Sequence, residues 1–258
     1  MTSKATKETD KDVIWLASYP RSGNTWLRIL LNGIVAPGEE AKKSIPTFHK
    51  AFPEAAPVHN VDGATVKIIK THCNPHNKRL FAELDRCVGA LTVCRHPLDI
   101  LLSAINYLGL LENSRCFKDG LIKSVDEICR DNEIDYYVDS FIENDGVLAY
   151  KDMCGAWSKY QLEWDEYGMT IKYLKLRYED MVHDPRATVK QLYGFVGRPW
   201  TQEAIDTLIA AAEEKTSLNG RFFWRKRAYN YKTMLPASTV RRFCRAYEEE
   251  LNYLGYSE

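Results

Sequence analysis

The chain has 258 residues, 45% hydrophobic and 12% aromatic, enough apolar material for one large or two small cores at about 150 residues per domain and too much for a disordered or low-complexity protein. Lys plus Arg number 35 and Asp plus Glu 35, a formal net charge of +0, which argues against a nucleic-acid coat or a polybasic membrane binder, since each carries a positive surplus. The seven cysteines (Cys73, Cys87, Cys94, Cys116, Cys129, Cys154, Cys244) show no C-x-x-C pair and no zinc spacing, so they read as reduced thiols of a soluble cytoplasmic protein, many of them small core hydrophobes.

Met1 to Asp12 is polar and lacks the apolar stretch of a signal peptide, and no run approaches the roughly 18 apolar residues of a membrane span. Val13 to Ala17 is continuously apolar and closes on Tyr19-Pro20, which predicts a strand buried on both faces. After Ser22, Gly23 and Asn24, the segment Thr25 to Ala36 sets Leu27, Leu30, Leu31 and Ile34 at helical spacing. Strand, polar Gly-containing turn and helix open an α/β fold. Pro37 to Asp62, with four prolines, reads as loop with some short helix. Thr65 to Thr71 and Val88 to Cys94 are further strands, the second running through Pro97 into a helix that ends near Gly109. Thr170 to Leu176 is a fourth strand, followed by a helix from Pro185 to Val196 with Pro at its first position. Thr201 to Lys215 and Ala237 to Leu254 complete the helices. No repeat or Ser/Gly linker divides the chain, so the expectation is a single α/β domain with a central parallel β-sheet flanked by helices. Its polar turns should gather at the carboxyl ends of the strands, where ligands bind in such sheets.

Three of those turns carry chemistry. Tyr19-Pro20-Arg21-Ser22-Gly23-Asn24-Thr25-Trp26 lies where the first strand meets its helix. Gly23 admits a close ligand, the opening amides of the helix bear the positive end of its dipole, and Ser22, Asn24 and Thr25 add donors beside the charge of Arg21. That suits an oxyanion, although an ordinary capped turn uses the same residues; no G-x-x-x-x-G-K-[ST] occurs. Arg95-His96-Pro97-Leu98-Asp99 repeats the arrangement at a second strand end, where a guanidinium can hold a phosphate and Ser103 follows two turns into the helix; paired with a carboxylate, Arg95 would instead be structural. Lys70-Thr71-His72 ends a third strand. A neutral His beside a Lys can serve as a general base next to a charge that stabilises anions, or can be a lone surface histidine. Finally, Lys215 to Arg245 holds nine Lys or Arg and no Asp or Glu, including Arg225-Lys226-Arg227, which favours anion binding over a merely solvated face.

In this order the motifs resemble the sulfotransferase family that uses 3′-phosphoadenosine 5′-phosphosulfate (PAPS), especially its cytosolic and bacterial small-molecule members. The family's Tyr-Pro-Lys-Ser-Gly-Thr-Thr-Trp stands here as Tyr19 to Trp26, its Arg-x-x-x-Asp with a Ser four residues later as Arg95, Asp99 and Ser103, its Lys-Thr-His as Lys70 to His72, its Tyr-Glu-Asp as Tyr178 to Asp180, and its Arg-Lys-Gly as Arg225, Lys226 and, in place of Gly, Arg227. The resemblance implies one sulfotransferase domain over residues 12–254, with a tail at residues 1–11 and a P-loop-like phosphosulfate-binding loop. It implies that Arg21 to Thr25 hold the 5′-phosphosulfate, that Arg95, Ser103, Arg225 and Lys226, with Arg227 beside them, hold the 3′-phosphate, and that Trp26, Tyr178 and Thr216 lie on or near the adenine. His72 would be the general base for in-line transfer to a small-molecule hydroxyl or amine, assisted by Arg21 and Lys70, with no metal, and with 3′-phosphoadenosine 5′-phosphate (PAP) as the product.

Three departures accompany the match. Arg21 replaces lysine and acts as an electrostatic clamp rather than a proton donor; Arg227 removes a permissive glycine; and the Thr216–Arg225 connection is short, which abbreviates any lid. Asp126 to Asp145 holds eight acidic residues against Arg130, and by the resemblance would help wall a pocket for a cationic acceptor, or else form an acidic surface helix. The alternatives to the enzyme are a nucleotide-binding module without catalysis, which has no need of Lys70 and His72, and a nucleotide kinase, which should carry a Walker lysine. Neither a nucleic-acid polymer nor a membrane is expected as partner, and the chain would act as monomer or homodimer.

Overall fold

Alternate side chains of β1 (Val13–Ala17) enter two different cores: Val13, Trp15 and Ala17 join one hydrophobic cluster, Ile14 and Leu16 the other. A strand buried on both faces cannot alternate polar and apolar residues, which is why this run is apolar throughout. The structure, a computed structural model, describes residues 11–48, 53–109, 123–217 and 225–256. In chain order the elements are β1, α1 (Asn24–Val35), α2 (Ala41–Ser44), β2 (Val58–Val61), β3 (Ala64–Thr71), α3 (Lys78–Phe81), β4 (Cys87–Cys94) and α4 (Pro97–Gly109). They continue with α5 (Val125–Arg130), α6 (Ile134–Asn144), α7 (Lys151–Cys154), α8 (Trp157–Gly168), β5 (Lys172–Arg177) and α9 (Tyr178–His183). The chain closes with α10 (Pro185–Val196), α11 (Gln202–Ser217), α12 (Tyr231–Met234), α13 (Ala237–Ala246) and α14 (Glu248–Tyr253).

The sheet order is β2-β3-β1-β4-β5. β1 pairs in parallel with β3 and β4, β4 in parallel with β5, and only the edge strand β2 runs antiparallel. The chain leaves β1 to one side for β3 and returns to its other side for β4, so a crevice opens at the carboxyl ends of these three strands. α1 covers one face through Leu27, Leu30, Leu31 and Ile34; α4 covers the other through Leu98, Leu101, Leu102 and Ile105. Each such side chain contributes about 1.5–3 kcal/mol when fully buried, so the helices are fixed to the sheet and hold the turns that precede them.

Two sequence expectations need correction. Within Pro37 to Asp62, expected as loop and short helix, Val58–Val61 forms β2, turning through Asp62 (φ 54) and Gly63 (φ 79) into β3. The single helix expected from Ala237 to Leu254 is broken at Tyr247 (φ −128). There the ring packs on Trp157 and Phe243, and its hydroxyl donates to the Phe141 carbonyl at 3.3 Å. Of the cysteines, Cys73, Cys87, Cys94 and Cys154 are buried and Cys129 and Cys244 half-buried, while Cys116 lies outside the described residues. Among the described residues no helix is long and apolar enough to cross a membrane.

Candidate active site

Between β1 and α1 the backbone enters the left-handed region twice, at Arg21 (φ 73) and at Gly23 (φ 106). Trp26 and Leu27 donate the first helical hydrogen bonds to the Gly23 carbonyl, so the amides of Gly23, Asn24 and Thr25 are the opening N–H groups of α1 and have no intrahelical acceptor. Gly23, the N-cap, offers no side-chain acceptor either. The turn therefore presents converging donors, as an oxyanion requires. A side chain at Gly23 would collide with the Tyr178 ring, its Cβ standing 2.5 Å from Cδ2; the glycine is needed for packing from below as much as for the approach of a ligand.

Arg21 donates from Nε to Ser103 Oγ at 3.1 Å and lies over the Tyr107 ring at 4.6 Å. Burial pulls its guanidinium below the ordinary arginine value, and the like charge of Arg95 adds to that. A desolvated cation facing another cation is stabilised when an anion enters between them. Arg95, 5% exposed, donates from Nη1 to the Arg21 carbonyl at 3.1 Å and from Nη2 to Asp99 Oδ2 at 3.3 Å and to the Arg227 carbonyl at 3.4 Å. Its plane lies 4.1 Å over Tyr178, and its Nε is buried with no partner. Of the two alternatives in the sequence, the carboxylate pairing is present, and Arg95 lines the cavity as well.

His72 follows β3, the neighbour of β1. Its Nδ1 lies 2.7 Å from the Ser18 carbonyl; a carbonyl only accepts, so Nδ1 carries the proton and the ring lone pair is on Nε2. Asn24 lines the cavity, but the NH2 group of its side chain is turned to the strand below. Its Nδ2 donates to the Leu16 carbonyl at 3.1 Å and to Ser18 Oγ at 3.0 Å, and that hydroxyl stands 3.4 Å from His72 Nδ1. Ser22 is fully buried below the turn.

One cavity of about 1340 Å³ joins these groups: Arg21, Gly23, Thr25 and Trp26 from the first turn, Lys70 and His72 from β3, Arg95 and Ser103 from the second turn, and Tyr178, Thr216 and Lys226 from later elements all line it. Such a volume exceeds an ordinary small-ligand pocket of about 300–1,000 Å³ and leaves room for two reactants. Trp26 and Tyr178 meet edge-on with centroids 6.3 Å apart, and Lys226 Nζ donates to Thr216 Oγ1 at 2.9 Å. Besides Ser22, two more expected residues lie off the cavity. Arg225 pairs with Asp126 at 2.5 Å, and Arg227, exposed, offers its carbonyl to Arg95; neither lines the cavity. The positive φ values fall on Arg225 (55) and Lys226 (41) rather than on Arg227, where the family has glycine.

A family model for the sulfotransferase domain matches residues 11–251. The chain belongs to the sulfotransferase family. Enzyme class and donor follow from that: it is a sulfotransferase that uses PAPS. Among curated relatives it is similar to dog sulfotransferase 1A1, with 25% identity over 239 residues, 89% of this chain and 72% of the relative. It is also similar to flavonol 3-sulfotransferase of Flaveria bidentis, with 26% identity over 210 residues, 78% of this chain and 62% of that enzyme. A crystal structure of mouse sulfotransferase SULT7A1 complexed with PAP shares the fold, with a TM-score of 0.67 and 17% identity, covering 95% of this chain and 86% of that one.

The acidic stretch of this sulfotransferase does not wall the cavity. Asp126 pairs with Arg225, Asp131 and Glu133 with Lys123, and Asp135 and Asp139 with Arg242, while Glu127 closes the capping box of α5. None of the eight carboxylates lines the site, so they stabilise this flank of the molecule and give no support to a cationic acceptor. Conversely, sequence reasoning missed Arg28, Tyr107 and Tyr150, which line the cavity. Arg28, one helical turn beyond Thr25, carried a readable signal in its spacing; Tyr150 is brought in only by the tertiary fold.

Proposed function

We propose that this sulfotransferase transfers the sulfuryl group to a hydroxyl or amine of a small-molecule acceptor with His72 as general base. The observation that carries the reading is the Nδ1–H bond of His72 to the Ser18 carbonyl at 2.7 Å, which sets the basic Nε2 in the same cavity as the Arg21 turn. The donor fits the residues present: opening helix amides, the partnerless buried Nε of Arg95 and a cavity lined by several cations all suit a nucleotide with charged ends. Gly23, Asn24 and Thr25 would hold its phosphosulfate through their amides with Arg21 as clamp; Arg95, Ser103 and Lys226 would hold its 3′-phosphate, and Trp26 and Thr216 would border its base. Bound there, PAPS supplies an activated sulfuryl group. His72 Nε2 takes the proton of the acceptor hydroxyl or amine, and the charges of Lys70 and Arg21 stabilise the negative charge that develops beside it. Arg21 keeps its proton throughout, since a guanidinium does not act as an acid at neutral pH.

Calorimetry with PAP, with AMP and with ATP plus magnesium tests the reading, together with the appearance of PAP when PAPS and a phenol are supplied. Selective binding of PAP with turnover is expected. Selective binding without turnover indicates a binding module, and preference for ATP with magnesium indicates a kinase.

A further inference from the structure

Among the described residues, Arg28 is the one cavity-lining guanidinium that the reading above leaves without a task. It is 5% exposed and lines the cavity from α1. Its Nη1 donates to Thr47 Oγ1 at 3.4 Å, its Nε is buried without a partner, and no carboxylate of the described residues forms an ion pair with it. Burial lowers its affinity for the proton, opposed only by the charge of Glu40. A guanidinium has five donors, and a buried one with a single long bond to a neutral hydroxyl lacks the compensation that buried charge requires.

Its position identifies the side of the cavity it serves. Thr47 forms a parallel bridge with Lys70, Lys70 donates its amide to the Pro46 carbonyl at 2.9 Å, and Phe48 donates to the Lys70 carbonyl at 2.8 Å. Lys70 alternates with Val66 and Ile68, which pack under α1. Arg28, Thr47 and Lys70 therefore share one face of the sheet beside the end of β3, on the His72 side of the Arg21 turn. Trp26, meeting Tyr178, and the Thr216–Lys226 pair lie toward the other strands and helices. Lys42 and Lys43 of α2 also line this part of the cavity, both exposed, with Lys43 near Glu40 at 3.5 Å. Among the described residues the single carboxylate in the lining, Glu213, belongs to α11 with Thr216.

We propose that Arg28 and Thr47, with Lys42 and Lys43 at the rim, form an anion subsite for the acceptor, so that this sulfotransferase acts on molecules that already carry a carboxylate, sulfate or phosphate. The proposal rests on the transfer reading above. The anion could instead belong to the donor, and the test separates the two sources.

Three phenols of similar size serve as probes: 4-hydroxyphenylacetate, 4-methylphenol and tyramine, with saturating PAPS and PAP formation as readout. The anionic phenol is expected to exceed the other two in kcat/KM by about tenfold, the discrimination of one desolvated charge contact. Arg28→Met should abolish most of that preference through KM while the Kd for PAP stays near the original, and Arg28→Lys should restore part of it. Equal use of the three phenols, preference for tyramine, or a preference that survives Arg28→Met overturns the proposal. So does an Arg28→Met variant that weakens PAP as much as the acceptor, because the guanidinium then serves the donor. Absence of PAP formation with every phenol overturns the transfer reading and the subsite with it, whereas turnover without anionic preference overturns the subsite alone.

Discussion

At Gly23 two demands coincide: a left-handed backbone and a Tyr178 ring where a Cβ would stand. Gly23→Ala is therefore expected to lose roughly 1–3 kcal/mol from backbone strain, with a further loss from the collision, read by denaturant unfolding, and PAP affinity should fall with it. For His72, replacement by alanine should leave PAP binding intact and reduce turnover by a factor on the order of 10² or more; unchanged turnover removes the residue from the proposed role. Asn24 connects to it through Ser18, and under the proposed function it is a positioning residue. Asn24→Ala should cost about 1 kcal/mol of stability for each hydrogen bond lost and lower kcat more than it raises the Kd for PAP; the reverse split would place the Asn24 amide on the ligand. A sequence shows that a polar residue stands in a turn, but whether its amide faces the ligand or the strand below depends on atoms of other segments.

The second turn, between β4 and α4, is held as a unit. Asp99, fully buried, accepts from Arg95 and, through Oδ1, from the Tyr231 amide at 3.0 Å. Arg95→Ala leaves that carboxylate without its cation and should cost about 3–5 kcal/mol, measured by equilibrium unfolding, besides weakening PAP more than AMP. Equal losses for the two nucleotides would confine Arg95 to the structural part. Elements with strong local signals were readable in advance: β1 from its apolar run, and α10 from Pro185 after Asp184, whose side chain accepts from the Ala187 amide at 2.9 Å. The Asp62-Gly63 hairpin also carried a signal, a two-residue turn of the favoured kind, but the four residues of β2 are too few for their alternation to stand out. The break at Tyr247 had none, because it follows from an aromatic packing site made by α6, α8 and α13.

At the scale of the whole molecule the neutral total conceals a division of charge. Carboxylates of Asp126 to Asp145 neutralise Lys123, Arg225 and Arg242 on one flank, while Arg21, Arg28, Lys70, Arg95 and Lys226 gather around the cavity. His96 links this arrangement to stability. Fully buried and stacked on Tyr231 at 3.9 Å, it is pushed down to about 3 by burial and by Lys232, Arg95 and Arg177. The unfolded chain takes up a proton near 6.5, the ordinary histidine value, whereas the folded chain stays neutral. Stability from this group is therefore complete above about 6.5 and falls as pH drops toward about 3, by about 1.4 kcal/mol per pH unit. Unfolding at pH 7 and pH 5 should show the fall, and a His96→Phe variant should show a smaller one; equal slopes would remove His96 as the source.

The α/β class, the four strands β1, β3, β4 and β5 of a parallel sheet, and the motifs on the turns after them were readable from the chain, because each rests on residues close together in sequence: apolar runs, a glycine, a cation after a strand. Assigning work to individual side chains within those motifs required the folded molecule. Asn24 turns inward, Arg225 is neutralised by Asp126, the acidic stretch leaves the cavity, and Arg28 enters it. Each outcome depends on which distant group stands within hydrogen-bonding or ion-pairing reach, and on how far burial removes water from the charges involved, and those are properties of packed segments rather than of any segment alone.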